Sequence, residues 1–249
     1  MGITDYSRIN QFKNAIYTLS MPVKKEEIVT NSFLLEQSPD QKLAIYYAPV
    51  EYINEKASLL IVGITPGFYQ MQQAYSRIVQ LKGKPLDNEQ LLHQAKLASS
   101  YQGPMRKNLI HMLDELGLHH YFGIASSADL FGPANHVVHT TGLIPYPVFY
   151  KGKNYTGSTP SILSSEILKK YVIQCFINDL SRLNNPLIIP LGVTVSTVLQ
   201  YLADHQLIDN KYILTGFPHP SGANGHRVKQ FTQNKKQMNE ELAIYFGKK

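Results

Sequence analysis

Three short segments of this 249-residue chain gather side chains that can donate, accept or carry protons. One is Val62-Gly63-Ile64-Thr65-Pro66-Gly67-Phe68, another is Ser126-Ser127-Ala128-Asp129, and the last runs Phe217-Pro218-His219-Pro220-Ser221-Gly222-Ala223-Asn224-Gly225-His226-Arg227. A histidine held between two prolines is a proton donor and acceptor in a fixed place, with an ordinary pKa of about 6.5. Thr65 and the serines offer hydroxyls, and Arg227 offers a fork of donors suited to an oxyanion. Loops stiffened by Gly and Pro that carry such groups suit a site that pinches a phosphate backbone and donates hydrogen bonds. Each segment also has a plainer reading. Gly-Ile-Thr-Pro-Gly is a tight strand-to-helix turn, the His219 ring caps a backbone carbonyl, and Ser126 and Ser127 cap the loop after them. The combination favours chemistry, because two such loops after two buried strands would converge on one crevice.

The elements around these segments follow from periodicity. Ile9, Phe12, Ile16 and Leu19 form one stripe of a helix spanning about Thr4–Leu19. Leu43–Ala48 alternates as a strand. Leu59–Gly63 is a continuous apolar run, the pattern of a strand buried on both faces. Helices are expected over Met71–Leu81, over Pro104–Leu116 with Gly117 as its stop, and over Ser164–Leu183, Val195–Leu202 and Val228–Phe246. Further strands are expected at Phe122–Leu130, Leu187–Leu191 and Tyr212–Gly216. Phe131–Thr159 reads as a long aperiodic loop rich in Gly, Pro, Tyr and His, and loops of that length inside compact domains are often functional. Strands alternating with helices imply an α/β fold, a three-layer α/β/α sandwich with a central, mainly parallel sheet. In such sheets ligands bind beyond the carboxyl ends of the strands, where the three segments lie. One domain spanning 1–249 is expected, with 1–42 as a helical N-terminal extension.

Composition narrows the function. Apolar residues make up 43% and charged residues 17%, far from a disordered composition. A formal charge of +6, with a pI near 9.2, leans towards a polyanionic partner. Cys175 is the single cysteine, which rules out an internal disulfide and four-cysteine clusters, and it sits in an apolar run that reads as core. Met1–Ser20 has no apolar signal segment, and no apolar run nears the roughly 20 residues of a membrane span. The expected address is the cytoplasm, with no cofactor, no metal, no membrane partner and a monomeric state.

Gly63-Ile-Thr-Pro-Gly67 and His219-Pro-Ser221 together resemble the two signature loops of the uracil-DNA glycosylase superfamily. The resemblance runs from about Leu59 to Arg227 and takes in Ile189-Pro-Leu-Gly192, similar to the strand and turn before that family's last strand. The mismatch-specific branch has Gly-Ile-Asn-Pro-Gly in the first loop. Another branch has His-Pro-Ser-Pro-Leu-Ser in the second, with an arginine a few residues on, where Arg227 stands here. The resemblance implies an enzyme that flips a base out of DNA and hydrolyses its bond to deoxyribose. His219 would donate to the departing base, and Thr65 would hold water. Gly63, Ile64, Pro66, Gly67, Phe68, Tyr69, Ser127 and Asp129 would form the base pocket, with Phe68 or Tyr69 stacking. Pro220, Ser221, Gly222, Asn224, His226 and Arg227 would grip the DNA backbone.

Two departures bear on the substrate. Thr65 replaces the Asn, Asp or Glu that relatives use to position water, and Ala223 replaces a leucine wedge. The single cysteine sets the chain apart from the iron–sulfur branches. The leading expectation is therefore a glycosylase for a modified or damaged pyrimidine rather than plain uracil, in repair or in defence against foreign DNA. The competing expectation is a non-catalytic binder of damaged or single-stranded DNA. An unrelated hydrolase or nucleotide-binding enzyme is disfavoured by the lack of a Gly-x-Ser-x-Gly elbow, a Walker loop or a Gly-x-Gly-x-x-Gly turn.

Overall fold

A computed structural model describes residues 2–247 as a mixed α/β chain in two compact units. One unit comprises the chain up to Ile53 with Thr65–Ser100 and Gly142–Arg182; the other comprises Asn54–Ile64, Tyr101–Thr141 and the chain from Leu183 onward. The strands fall into three sheets.

In the first unit, an antiparallel sheet has the order Leu34–Gln37, Leu43–Tyr46, Val148–Tyr150, Lys153–Asn154. Its last two strands form a hairpin. Lys151 and Gly152 turn it with φ of 49° and 73°, and two positive φ values in succession match the right-handed twist of the flanking strands. Gly2–Ile3 pairs separately with Tyr52–Ile53. The Ile9–Ile16 helix forms because Ile9, Phe12 and Ile16 recur on one face, and all three are buried. Met71, Ala74, Tyr75 and Ile78 do the same for the Phe68–Gln80 helix. The Asn88–Ser99 helix starts on a capping box: Gln90 N–H donates to Asp87 at 2.8 Å, and Asp87 N–H donates back to Gln90 Oε1 at 3.0 Å. Residues 166–181 are one continuous helical stretch with a π turn at Val172–Phe176, and Cys175 is buried in that turn.

Two carboxylates lie inside this unit. Glu51, 2% exposed, accepts from Ser7 Oγ, Arg8 N–H, Tyr47 OH and Tyr146 OH. Burial pushes its carboxyl up, and these four donors offset part of that. Asp179, 3% exposed, accepts from Tyr6 OH at 2.5 Å, and burial pushes it up to about 7.

The second unit holds the three-stranded sheet, ordered Val138–Gly142, Leu59–Gly63, Leu187–Pro190. The last two strands are parallel, registered from Leu59 opposite Leu187 to Val62 opposite Pro190. Leu59, Ile61, Leu187 and Ile189 share a core with Leu109 and Leu113 of the Gly103–Glu115 helix and with Phe231, Met238 and Leu242 of the Arg227–Gly247 helix.

Several expectations need correction. Phe122–Leu130 is no strand: Gly123 has a φ of 64°, and Ser127–Phe131 is a 3-10 turn capped by Ser126 Oγ on Ala128 N–H. Small polar residues there offer the backbone local partners that compete with a ladder. The neighbouring strand of the sheet is instead Val138–Gly142, from the stretch read as loop; its buried His139 and Thr140 hide it from any apolar count. Tyr212–Gly216 contributes one parallel bridge, Ile213 to Ile188, after a 3-10 turn at Asn210–Tyr212. The first helix begins only at Ile9, and residues 2–42 contain strands as well as helices. The Asn88–Ser99 helix was not anticipated.

Candidate active site

In the second unit, the His219 loop is built around one close approach. Gly192 ends the turn after Leu187–Pro190 with φ of 90°, and a Cβ there would stand 2.8 Å from the Cβ of His219. Only glycine fits both conditions. Gly192 N–H also donates to Phe217 O at 3.1 Å, so the two turns are tied together. Ser221 N–H donates to His219 Nδ1 at 3.2 Å. That ring nitrogen therefore presents its lone pair, and the ring proton sits on Nε2. Burial holds the imidazole below its ordinary pKa, so at neutral pH it is an uncharged ring with one N–H donor.

The rest of the loop is braced from several sides. Asn108 Nδ2 donates to Pro220 O at 2.9 Å, and Asn224 Nδ2 donates to His219 O at 3.2 Å. Arg227 donates through one guanidinium nitrogen to Ser221 O at 2.8 Å, which leaves other N–H groups of the fork for a ligand. Asn224 Oδ1 accepts from His226 N–H, and Ala223 N–H donates to Ser221 Oγ. Gly222 and His226 are exposed. Asn108 was missed from the sequence, since an asparagine on an amphipathic helix carries no local signal of the carbonyl it will meet.

Gly63, at the carboxyl end of Leu59–Gly63, faces Tyr101: a Cβ on it would stand 3.2 Å from the tyrosine oxygen, which donates to Thr141 O at 3.4 Å. Ile64 follows, half-buried. Ser127 is buried and Asp129 half-buried on the 3-10 turn. Asp114 organises that segment, accepting from Ser126 Oγ at 2.7 Å and Ser127 N–H at 2.6 Å. Burial acts to raise Asp114, but these donors outweigh it and hold the carboxyl low. The turn is thus anchored on Asp114 of the Gly103–Glu115 helix.

In the first unit, Thr65 is half-buried, and its hydroxyl donates to Tyr146 O at 2.6 Å. Its single proton is spent, so towards a water molecule Thr65 Oγ1 acts as acceptor. Pro66 and Gly67 follow, and Gly67 N–H donates to Gln70 Oε1 at 3.1 Å. Phe68 N–H donates to Asn154 Oδ1 at 3.0 Å, so the start of the Phe68–Gln80 helix is held by a side chain from the hairpin. The Lys25 ammonium lies 5.8 Å from the Phe68 ring centre, while Tyr69 is 56% exposed with an open ring. Asn154 and Tyr146 were not singled out from the sequence; both come from the stretch read as aperiodic.

Comparison with known proteins adds a family. No family model matches the chain. It is 44% identical over 247 residues to the uncharacterized protein YoxB of Bacillus subtilis (strain 168), covering 98% of this chain and 95% of that protein, and it belongs to the family of that protein. Among solved structures, the crystal structure of WT Pedobacter heparinus SMUG2 covers 96% of this chain and 95% of its own at a TM-score of 0.44 and 13% identity. At that level of likeness, function has to be argued from this chain's own residues.

Proposed function

We propose that the protein is a DNA glycosylase that hydrolyses the N-glycosidic bond of a flipped-out, modified or damaged pyrimidine and leaves an abasic site. The observation that carries this reading is the fixed, neutral His219 ring with its proton on Nε2. When the bond from C1′ to the base breaks, the electron pair leaves with the base and the sugar becomes cationic. A neutral N–H donor aimed at a base oxygen strengthens its hydrogen bond as that charge grows, without first repelling or over-binding the neutral base. Water then adds to C1′ through its oxygen, and the proton it loses neutralises the departed base anion by way of solvent. Thr65 Oγ1 would accept a hydrogen bond from that water and so orient it. Ser221, Arg227 and the exposed loop around Gly222 and His226 would hold flanking phosphates, with Asn224 and Pro220 fixing their shape.

A second reading has one observation in its favour: Thr65 offers neither a carboxylate nor an amide, and its proton is engaged by Tyr146 O. A protein that binds damaged or single-stranded DNA without cleaving it fits that feature. Incubation with DNAs carrying different modified bases, followed by alkaline cleavage at abasic sites, separates the two. Strand scission with at least one base supports the glycosylase; binding without scission across the panel selects the binder.

A further inference from the structure

We infer that the Val148–Asn154 hairpin is a second contact surface for the phosphate backbone of DNA, tied to the Thr65–Phe68 turn through Asn154. The inference rests on the proposed function and adds a surface that the three motif loops do not contain. Lys151 and Lys153 are exposed on the hairpin, and Lys25 reaches it from the Lys25–Ile28 turn, with Nζ 3.5 Å from Gly152 O. Lys25 also lies 5.8 Å from the Phe149 ring centre, and Lys151 lies 5.5 Å from that of Tyr150. These aromatic faces hold the ammonium groups in place without neutralising them. Among the described residues none of the three lysines pairs with a carboxylate. The acidic groups of the same sheet are already taken: Asp40 pairs with Lys42, and Glu36 with Lys170.

Tyr69, next in sequence to the Phe68 that Lys25 approaches, exposes its ring in the same unit. Lysines beside an exposed aromatic ring are what a nucleic-acid strand uses, phosphate on charge and base on ring. Asn154 connects the surface to the turn, because its Oδ1 accepts from Phe68 N–H and its Nδ2 lies 3.4 Å from where a Gly67 Cβ would be. A plainer account exists for Lys153, since charged residues on an edge strand guard it against pairing with other chains. That account does not cover Lys25, which comes from a helical turn.

The experiment compares the unmutated protein with a Lys151→Ala/Lys153→Ala double variant, by anisotropy titration of a labelled 20-nucleotide DNA, single-stranded and duplex, from 0.05 to 0.3 M salt. Two lost phosphate contacts should make the slope of log affinity against log salt shallower by about two and weaken binding roughly fifty-fold at 0.1 M. An unchanged melting temperature keeps this separate from unfolding. If the unmutated protein binds DNA and the variant keeps its slope, the hairpin assignment falls while the function stands. If the unmutated protein binds neither DNA, both fall. An equal loss of affinity for polyglutamate of matched charge would overturn the assignment to DNA.

Discussion

His219 carries its neutral state in its surroundings rather than in a partner charge: burial lowers its pKa, and a backbone N–H occupies Nδ1. His219→Ala is expected to slow base release by about two to three orders of magnitude, the usual effect of removing one well-placed anion-stabilising donor. Single-turnover assays on the best modified-base substrate measure it, and full activity would end the assignment. Thr65→Val keeps the shape and removes the oxygen; it should reduce release by a smaller factor, since departure of the base dominates a dissociative cleavage. Gly192→Ala tests the backing of the ring. A methyl 2.8 Å from the His219 Cβ, at a φ of 90°, cannot be accommodated without moving one of the two turns. Activity should fall nearly as far as in His219→Ala while the protein still folds, as near-ultraviolet circular dichroism would register.

At the scale of elements, the hairpin and the helix it caps form one testable unit. Asn154→Ala leaves Phe68 N–H without its acceptor and should lower base release several-fold with little change in the salt slope of DNA binding. The reverse outcome would place Asn154 on the phosphate surface rather than behind the Thr65 turn. Asp87→Ala removes the cap of the Asn88–Ser99 helix and should cost about 1 kcal/mol, roughly 2–4 °C in Tm. That helix illustrates what sequence reasoning can and cannot reach. Its Asp87–Gln90 capping box was there to be read, but its apolar stripe, Leu91, Leu92 and Ala95, is too thin to stand out. Leu59–Gly63 was legible to the residue because a strand buried on both faces writes itself as an unbroken apolar run. Val138–Gly142 was not, since His139 accepts from Asn54 N–H at 3.4 Å and so carries polarity into the core. The candidate loops were visible through Gly, Pro and His. The residues that hold them, Asn108, Tyr101, Tyr146 and Asn154, act across long stretches of chain and leave no local trace.

Over the whole molecule, the buried carboxylates shape the response to pH. Asp179 has a folded pKa pushed up to about 7 by burial, against about 3.9 unfolded, so the fold favours its neutral form. That contribution to stability is present in full below about pH 4 and is lost as pH rises through about 7. Other acids contribute slopes of their own, so the useful quantity is a difference. Asp179→Asn should gain thermal stability relative to the unmutated protein steadily from pH 4 to pH 7 and level off above. A difference that stays flat over this range would show that Asp179 is ionised in the fold. No described helix is long and apolar enough to cross a membrane.

The division into two units has a consequence for how the chain can be made and cut. The path passes from one unit to the other after Ile53, Ile64, Ser100, Thr141 and Arg182, so each unit is assembled from three separate stretches. No single truncation yields either unit free of the other's stretches, and a ribosome has released most of the chain before the last stretch of the second unit can join Leu59–Gly63. The parallel pairing of Leu59 with Leu187 spans more than a hundred residues, a closure that slows folding. Completion of the second unit's sheet therefore has to wait for the Leu187–Pro190 strand, and a nascent chain stalled before it would expose Leu59–Val62 as an apolar edge. Truncation before Leu187 is therefore expected to send the chain into inclusion bodies, which fractionation of soluble and insoluble expressed protein would show.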